Sequence, residues 1–147
     1  MPALKVLFNK LVRLQIELWD AVDQRLRNDC GLALSRFEPM QVIASHPDCR
    51  VQEIAQELSI TVGGASKLVD RIEASGHCRR RANQQDRRSS IIELTAPGRR
   101  LLAKATTVFE DELAVRLNDA ISEQQIEPFV RSLRELRAAI RRGRAST

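Results

Sequence analysis

Along most of the chain apolar residues return every three or four positions, and over one short stretch they return at nearly every second position. Leu4, Leu7, Phe8, Leu11, Leu14, Leu18, Val22 and Leu26 form the first series, which predicts a long amphipathic helix ending before Gly31. A helix of about 25 residues spans about 37 Å. That is long for one small head, so part of its apolar face is expected to meet another subunit. Ser35-Arg36-Phe37-Glu38 reads as a capping box, with the serine on the helix start and the glutamate reaching back. Pro39 then falls in a first turn, and Phe37, Met40, Val42 and Ile43 supply buried contacts until Ser45-His46-Pro47 ends the segment. Arg50 to Ser59 is the next helix, with Val51, Ile54, Ala55 and Leu58 on its buried side.

After a tight turn near Ser59 to Thr61, Thr61 is placed to cap another helix through its hydroxyl. Ala65, Leu68, Val69 and Ile72 give that helix one apolar stripe, and Gly76 follows it as a left-handed terminator. The tetrad Asn83-Gln84-Gln85-Asp86 is turn chemistry, and Ser90-Ile91-Ile92-Glu93-Leu94 has the β-branching and partial alternation of a returning strand. Ala96-Pro97-Gly98 opens a long helix lined by Leu101, Leu102, Ala105, Val108, Phe109, Leu113 and Leu117. Ser122 to Glu127 restarts the chain into a last helix carrying Ile126, Phe129, Val130, Leu133, Leu136 and Ile140, with Arg141 to Thr147 expected as a frayed basic tail. Two helices across a tight turn, followed by a two-stranded ribbon, make a winged helix-turn-helix. The predicted fold class is mainly α with a small β-wing (α+β), the lobe being flanked by long helices.

Charge sharpens this picture. The net charge is +5. Residues 1–60 hold seven Lys/Arg and eight Asp/Glu, residues 61–100 hold nine and four, and residues 101–147 hold eight and seven. The excess therefore lies in the helix and ribbon, as a phosphate-binding surface requires. Opposite the apolar stripe the helix after the turn presents Gly63, Gly64, Ser66, Lys67, Asp70 and Arg71. Two glycines in its first turn cost about 1 kcal/mol each relative to alanine. Close approach to a crowded surface, such as the floor of a DNA major groove, compensates that loss. The ribbon carries Arg79, Arg80, Arg81, Arg87 and Arg88. Its tip, at Arg87, has the reach and charge for a minor groove, where narrow A·T-rich segments attract guanidinium groups. Strand alternation lets one or two of Arg79 to Arg81 contact phosphate while another turns inward to an acidic partner.

Other classes fit poorly. Aromatic residues are 3% of the chain and tyrosine is absent, which argues against stacking on single-stranded bases. No apolar run approaches the roughly 18 residues of a membrane span, and Met1 to Lys10 lacks a long apolar leader, so a cytoplasmic protein is expected. Three cysteines without a C-x-x-C pair imply reduced thiols, though a thiol switch at Cys30, Cys49 or Cys78 remains an alternative. His46, Cys49, His77 and Cys78 match no common zinc spacing, so no metal and no cofactor are expected. No Ser/His/Asp constellation or phosphate-cradling loop points to an enzyme; Gly63-Gly64 lacks a preceding strand and a following Lys-Ser/Thr.

Asp86-Arg87-Arg88, followed after five residues by Leu94-Thr95 and then Pro97-Gly98, resembles the wing signature of the MarR family of transcriptional regulators. Leu68-Val69-Asp70-Arg71 and Gly76 to Arg80 are similar to that family's recognition-helix end and first wing strand. The resemblance extends over the 147-residue chain and implies a single domain at 1–147. It places a winged helix-turn-helix lobe at 34–96 and dimerisation helices at 1–30 and 97–143. It also implies a homodimeric regulator of double-stranded DNA, most often a repressor. Two-fold symmetry then sets recognition helices about 34 Å apart on an inverted repeat of roughly 16 to 20 base pairs. Thr61, Gly63, Gly64, Ser66, Lys67, Arg71, Arg80, Arg81 and Arg87 are the candidate DNA-binding residues, and the resemblance assigns Asp86 and Arg88 to bracing the wing as a charge-assisted pair. Trp19, Arg36 and Met40 are candidates to border the pocket where relatives hold small-molecule effectors. The competing reading is a non-specific architectural DNA binder.

Overall fold

A computed structural model describes residues 1–145, which fall into two compact units, Met1–Glu112 and Leu113–Thr147, the second described as far as 145. The first unit opens with α1 (Pro2–Cys30), ended by Gly31 at φ 63°, whose N–H bonds the Arg27 carbonyl. Only Val22 and Leu26 of this helix are buried, and residues 2–10 are exposed. α2 (Leu34–Ser45) begins one residue before the predicted capping box, behind Ala33. The cap comes from α1 instead: the Asp23 carboxylate accepts the Leu34 N–H at 2.9 Å. Pro39 therefore sits in the second turn, on the buried side.

α3 (Val51–Leu58) is capped by Glu53, which takes the Arg50 N–H at 2.9 Å. Ser59 turns the chain with φ 55°, and α4 (Val62–Ala74) follows, with Ala65, Val69 and Ile72 buried as its stripe predicts. Gly76, at φ 80°, leads into β1 (Cys78–Ala82), paired antiparallel with β2 (Ser90–Leu94) so that Cys78 faces Leu94 and Arg80 faces Ile92. The Ile92 N–H bonds the Cys49 carbonyl at 2.7 Å, fastening the ribbon to the α2–α3 connection. Phe37, Met40, Ile54, Val69, Ile72 and Ile92 fill the core between α2, α3, α4 and the ribbon.

α5 (Ala96–Leu117) starts where the ribbon ends, and Thr95 ties the two together. Its hydroxyl donates to the Gly76 carbonyl at 2.6 Å and accepts the Gly98 N–H at 3.1 Å, while its N–H bonds the His77 carbonyl at 3.1 Å. Gly98 is obligatory here, because an added Cβ would lie 1.9 Å from the His77 carbonyl oxygen. Phe109 packs against Phe37 with ring centroids 4.9 Å apart and the rings tilted by 40°. On the α5 stripe the structure places a charge that periodicity missed. Glu112 is 5% exposed and accepts from Arg25 at 3.0 Å, and the same guanidinium bonds Asp29 and Asp111.

In the second unit α6 (Glu123–Ala145) is capped by Gln125, whose carbonyl accepts the Ser122 N–H at 2.9 Å. None of its residues is buried, and Phe129, Leu136 and Ile140 are exposed. Arg141–Ala145, expected as part of a frayed tail, continue this helix; 146 and 147 lie outside the described residues.

Candidate nucleic-acid interface

α4 presents the candidate residues as one surface. The Thr61 hydroxyl accepts the Gly64 N–H at 3.0 Å, so the cap predicted from sequence starts the helix. With the stripe turned inward, Gly63, Lys67, Asp70 and Arg71 are exposed and Ser66 is half-exposed. The two glycines differ. A Cβ on Gly64 would come within 3.1 Å of the capping oxygen of Thr61, whereas one on Gly63 would meet nothing.

The register divides the ribbon's arginines between two faces. Cys78, Arg80, Ile92 and Leu94 share the face toward α4, where the Cys78 thiol lies 3.7 Å from the Val69 carbonyl. Arg80 reaches α4 at three points: Asp70 at 2.8 Å, Glu73 at 3.0 Å and the Ser66 carbonyl at 3.4 Å. Its own N–H also bonds Glu73 at 3.0 Å. Arg79 and Arg81 occupy the opposite face and share Glu93, at 2.6 and 3.2 Å. Arg81 also holds Asp48 at 2.8 Å, a residue in the left-handed region at φ 54°. Arg80 is thus the inward member that alternation allows, while Arg81 lies on the face away from α4.

At the tip the turn is held by backbone donors. Asp86 accepts the Arg88 N–H at 3.0 Å, Ser89 N–H bonds the Asp86 carbonyl at 3.2 Å, and Asn83 accepts the Gln85 N–H at 3.1 Å. Asp86 braces the wing in this way, through the main chain of Arg88 and not its guanidinium. Arg87 and Arg88 are exposed, with no carboxylate partner among the described residues. Along the wing Arg80, Asn83, Gln84, Arg87, Ser89 and Ser90 border a polar concavity of about 790 Å³.

The sequence profile of the MarR family matches residues 40–89, from α2 to the wing tip. That segment resembles the MarR family. A relative, the uncharacterized HTH-type transcriptional regulator YfiV of Bacillus subtilis (strain 168), is 24% identical over 70 residues, 48% of this chain and 44% of its own length. The match thus spans less than half of that relative. Among solved structures, Sco3205, a MarR family transcriptional regulator from Streptomyces coelicolor in complex with DNA, superposes with a TM-score of 0.86 at 21% identity. It covers 95% of this chain and 88% of that one. CouR from Rhodococcus jostii RHA1, bound to p-coumaroyl-CoA, superposes with a TM-score of 0.77 at 21% identity, covering 86% and 87%. The chain has the MarR fold.

Within that fold the other candidates are placed as follows. Met40 is wholly buried and offers a ligand no surface in this chain, Trp19 is half-buried, and the Arg36 guanidinium lies 3.4 Å from the Ser75 hydroxyl. Cys49 and Cys78 are buried, and burial pushes both thiols up to about 11, Glu53 and Glu73 adding to the rise. Thiols so shifted carry little nucleophilic thiolate at neutral pH. Cys30 is half-exposed at the end of α1. Among the described residues no group of three or more His, Cys, Asp or Glu is placed to hold a metal, and no helix is long and apolar enough to cross a membrane. Sequence reasoning missed Asp48, Asp70, Glu73 and Glu93 as the partners of the wing arginines. Strand alternation allowed one of Arg79 to Arg81 to turn inward but named neither that residue, Arg80 being expected on DNA, nor the carboxylates it would meet.

Proposed function

We propose that this chain is a sequence-specific regulator of transcription that binds double-stranded DNA as a homodimer in the cytoplasm. α4 enters the major groove and the wing tip lies in the adjacent minor groove of a pseudo-palindromic operator. The observation that carries the reading is the division of positive charge. Carboxylates occupy the strand arginines, whereas Lys67 and Arg71 on α4 and Arg87 and Arg88 at the tip stay exposed. Two rigid elements thus display unpaired cations side by side, as phosphate contact and groove readout require. The DNA-bound relative Sco3205 supports this reading through its fold.

The domain plan of a 34–96 lobe with dimerisation helices at 1–30 and 97–143 belongs to the same proposal. Leu4, Leu7, Phe8 and Leu14 of α1 and Phe129, Leu136 and Ile140 of α6 leave apolar faces that a second copy would cover. The regulator acts as a repressor and is released by a ligand or modification that favours a DNA-incompetent spacing of the two heads. Binding of p-coumaroyl-CoA by CouR makes a small-molecule effector the natural class. Trp19, Arg36 and Met40 remain the candidates for its pocket, Met40 from behind the surface.

Selection of bound sites from random duplexes tests the reading. The expected result is an inverted repeat whose half-sites are about one helical turn apart. Bound duplexes that share no sequence would support an architectural binder instead, and indifference to duplex DNA at low salt would end the proposal.

A further inference from the structure

At the leading turn of α4 stands a residue that neither the core nor the charge pattern explains. Val62, the first residue of the helix, is 54% exposed although it borders the stripe that buries Ala65 and Val69. Next to it Gly63 faces away from that stripe, and a Cβ there would meet nothing. Its φ is not in the left-handed region, so no backbone demand calls for glycine. A helical glycine with neither a steric nor a conformational reason gives up stability that alanine would supply. The space it leaves is useful only to something outside the chain.

We infer that Val62 reads the 5-methyl group of a thymine in the major groove, and that the missing side chain of Gly63 lets the helix approach closely enough for that contact. This rests on the DNA-binding reading above and deepens it. Thymine is the base that presents an apolar group on the major-groove edge, and small apolar side chains recognise it by contact. The occupant follows from the surroundings: Lys67 and Arg71 are exposed along the same helix and Arg87 at the wing tip. An apolar protein partner would have to desolvate those cations, whereas duplex DNA pairs them with phosphates while its groove floor meets Val62.

The test starts from the duplex recovered by selection, with each symmetric thymine pair replaced in turn by deoxyuridine, which removes only the methyl. One position is expected to weaken the parent protein about fourfold per half-site, the worth of one buried methyl. Val62→Ala should bind the thymine duplex that much more weakly and be indifferent to the methyl at that position. A parent indifferent to every replacement, or a Val62→Ala protein that keeps the parent's loss, overturns the inference while leaving the regulator reading intact. Failure to recover any sequence removes both. Gly63→Ala should raise Tm by about 2 to 4 °C and lower operator affinity at least about tenfold. Undiminished affinity in that variant overturns the close approach.

Discussion

The strands and the tip of the wing contain the same residue in different employment. In the strands Arg79, Arg80 and Arg81 are each held by carboxylates, two of them by the same Glu93. At the tip Arg87 and Arg88 have no carboxylate partner among the described residues, and the turn beneath them is made by main-chain donors. A count of arginines treats all five alike. The geometry separates three that set the wing's shape from two whose charge is unspent, and that separation makes a rigid basic tip.

The comparison breaks most severely at the root of the ribbon, where no charge is involved. Gly98→Ala drives a methyl into the His77 carbonyl, and shifting a packed helix start costs about 3 kcal/mol or more. The expected drop in Tm, of order 10 °C, is measured by thermal unfolding, and both kinds of arginine should lose their placement together. A variant as stable as the parent would show that the root gives way easily. Removing the tip is next: Arg87→Ala with Arg88→Ala should cut operator affinity about 100-fold and flatten the salt dependence by about two counterions per half-site. The loss from Arg87→Ala should be greatest at A·T-rich flanks, with Tm unchanged.

Arg80→Ala should act differently. It removes no phosphate contact but frees Asp70 and Glu73 beside the recognition face, so affinity falls about fivefold by repulsion, with the salt slope near that of the parent. Adding Asp70→Asn and Glu73→Gln should restore most of that affinity. A phosphate-binding Arg80 would instead lose slope, and neutralising its partners would not rescue it.

What the sequence made legible is what neighbouring residues decide among themselves. Gly31, Thr61, Gly76 and the α4 stripe stand where periodicity and capping put them, because each depends on contacts within a few residues. The failures in the first unit are tertiary. Ser35 and Glu38 have the spacing of a capping box, yet Asp23 on another helix takes the Leu34 donor and moves the start of α2. Glu112 sits where an apolar residue belongs because Arg25, 87 positions earlier, meets it. The wing signature picked out the arginines without saying which were already paired, since Asp48 and Arg81 stand 33 positions apart.

The smallest effect probes the distinction most finely. Arg79 above all, with Arg81 adding to it, holds the Glu93 carboxyl below its ordinary value of 4.5 by donating hydrogen bonds to it, against the opposing pull of desolvation. A carboxyl whose folded value is depressed adds stability above the unfolded value and loses it as pH falls through the folded one. Glu93 is exposed enough that solvent and salt screen the pair. Glu93→Gln should therefore lower Tm by only a degree or so near pH 6 at low salt, a gap that narrows as the pH is taken below the ordinary carboxylate value. The same variant releases two arginines, but on the face turned away from α4, so operator affinity at neutral pH should hold within about twofold, as ordinary surface charges allow. If affinity rose tenfold instead, the strand arginines would be binding groups held in reserve by Glu93, and the division between strands and tip would be one of regulation rather than of structure.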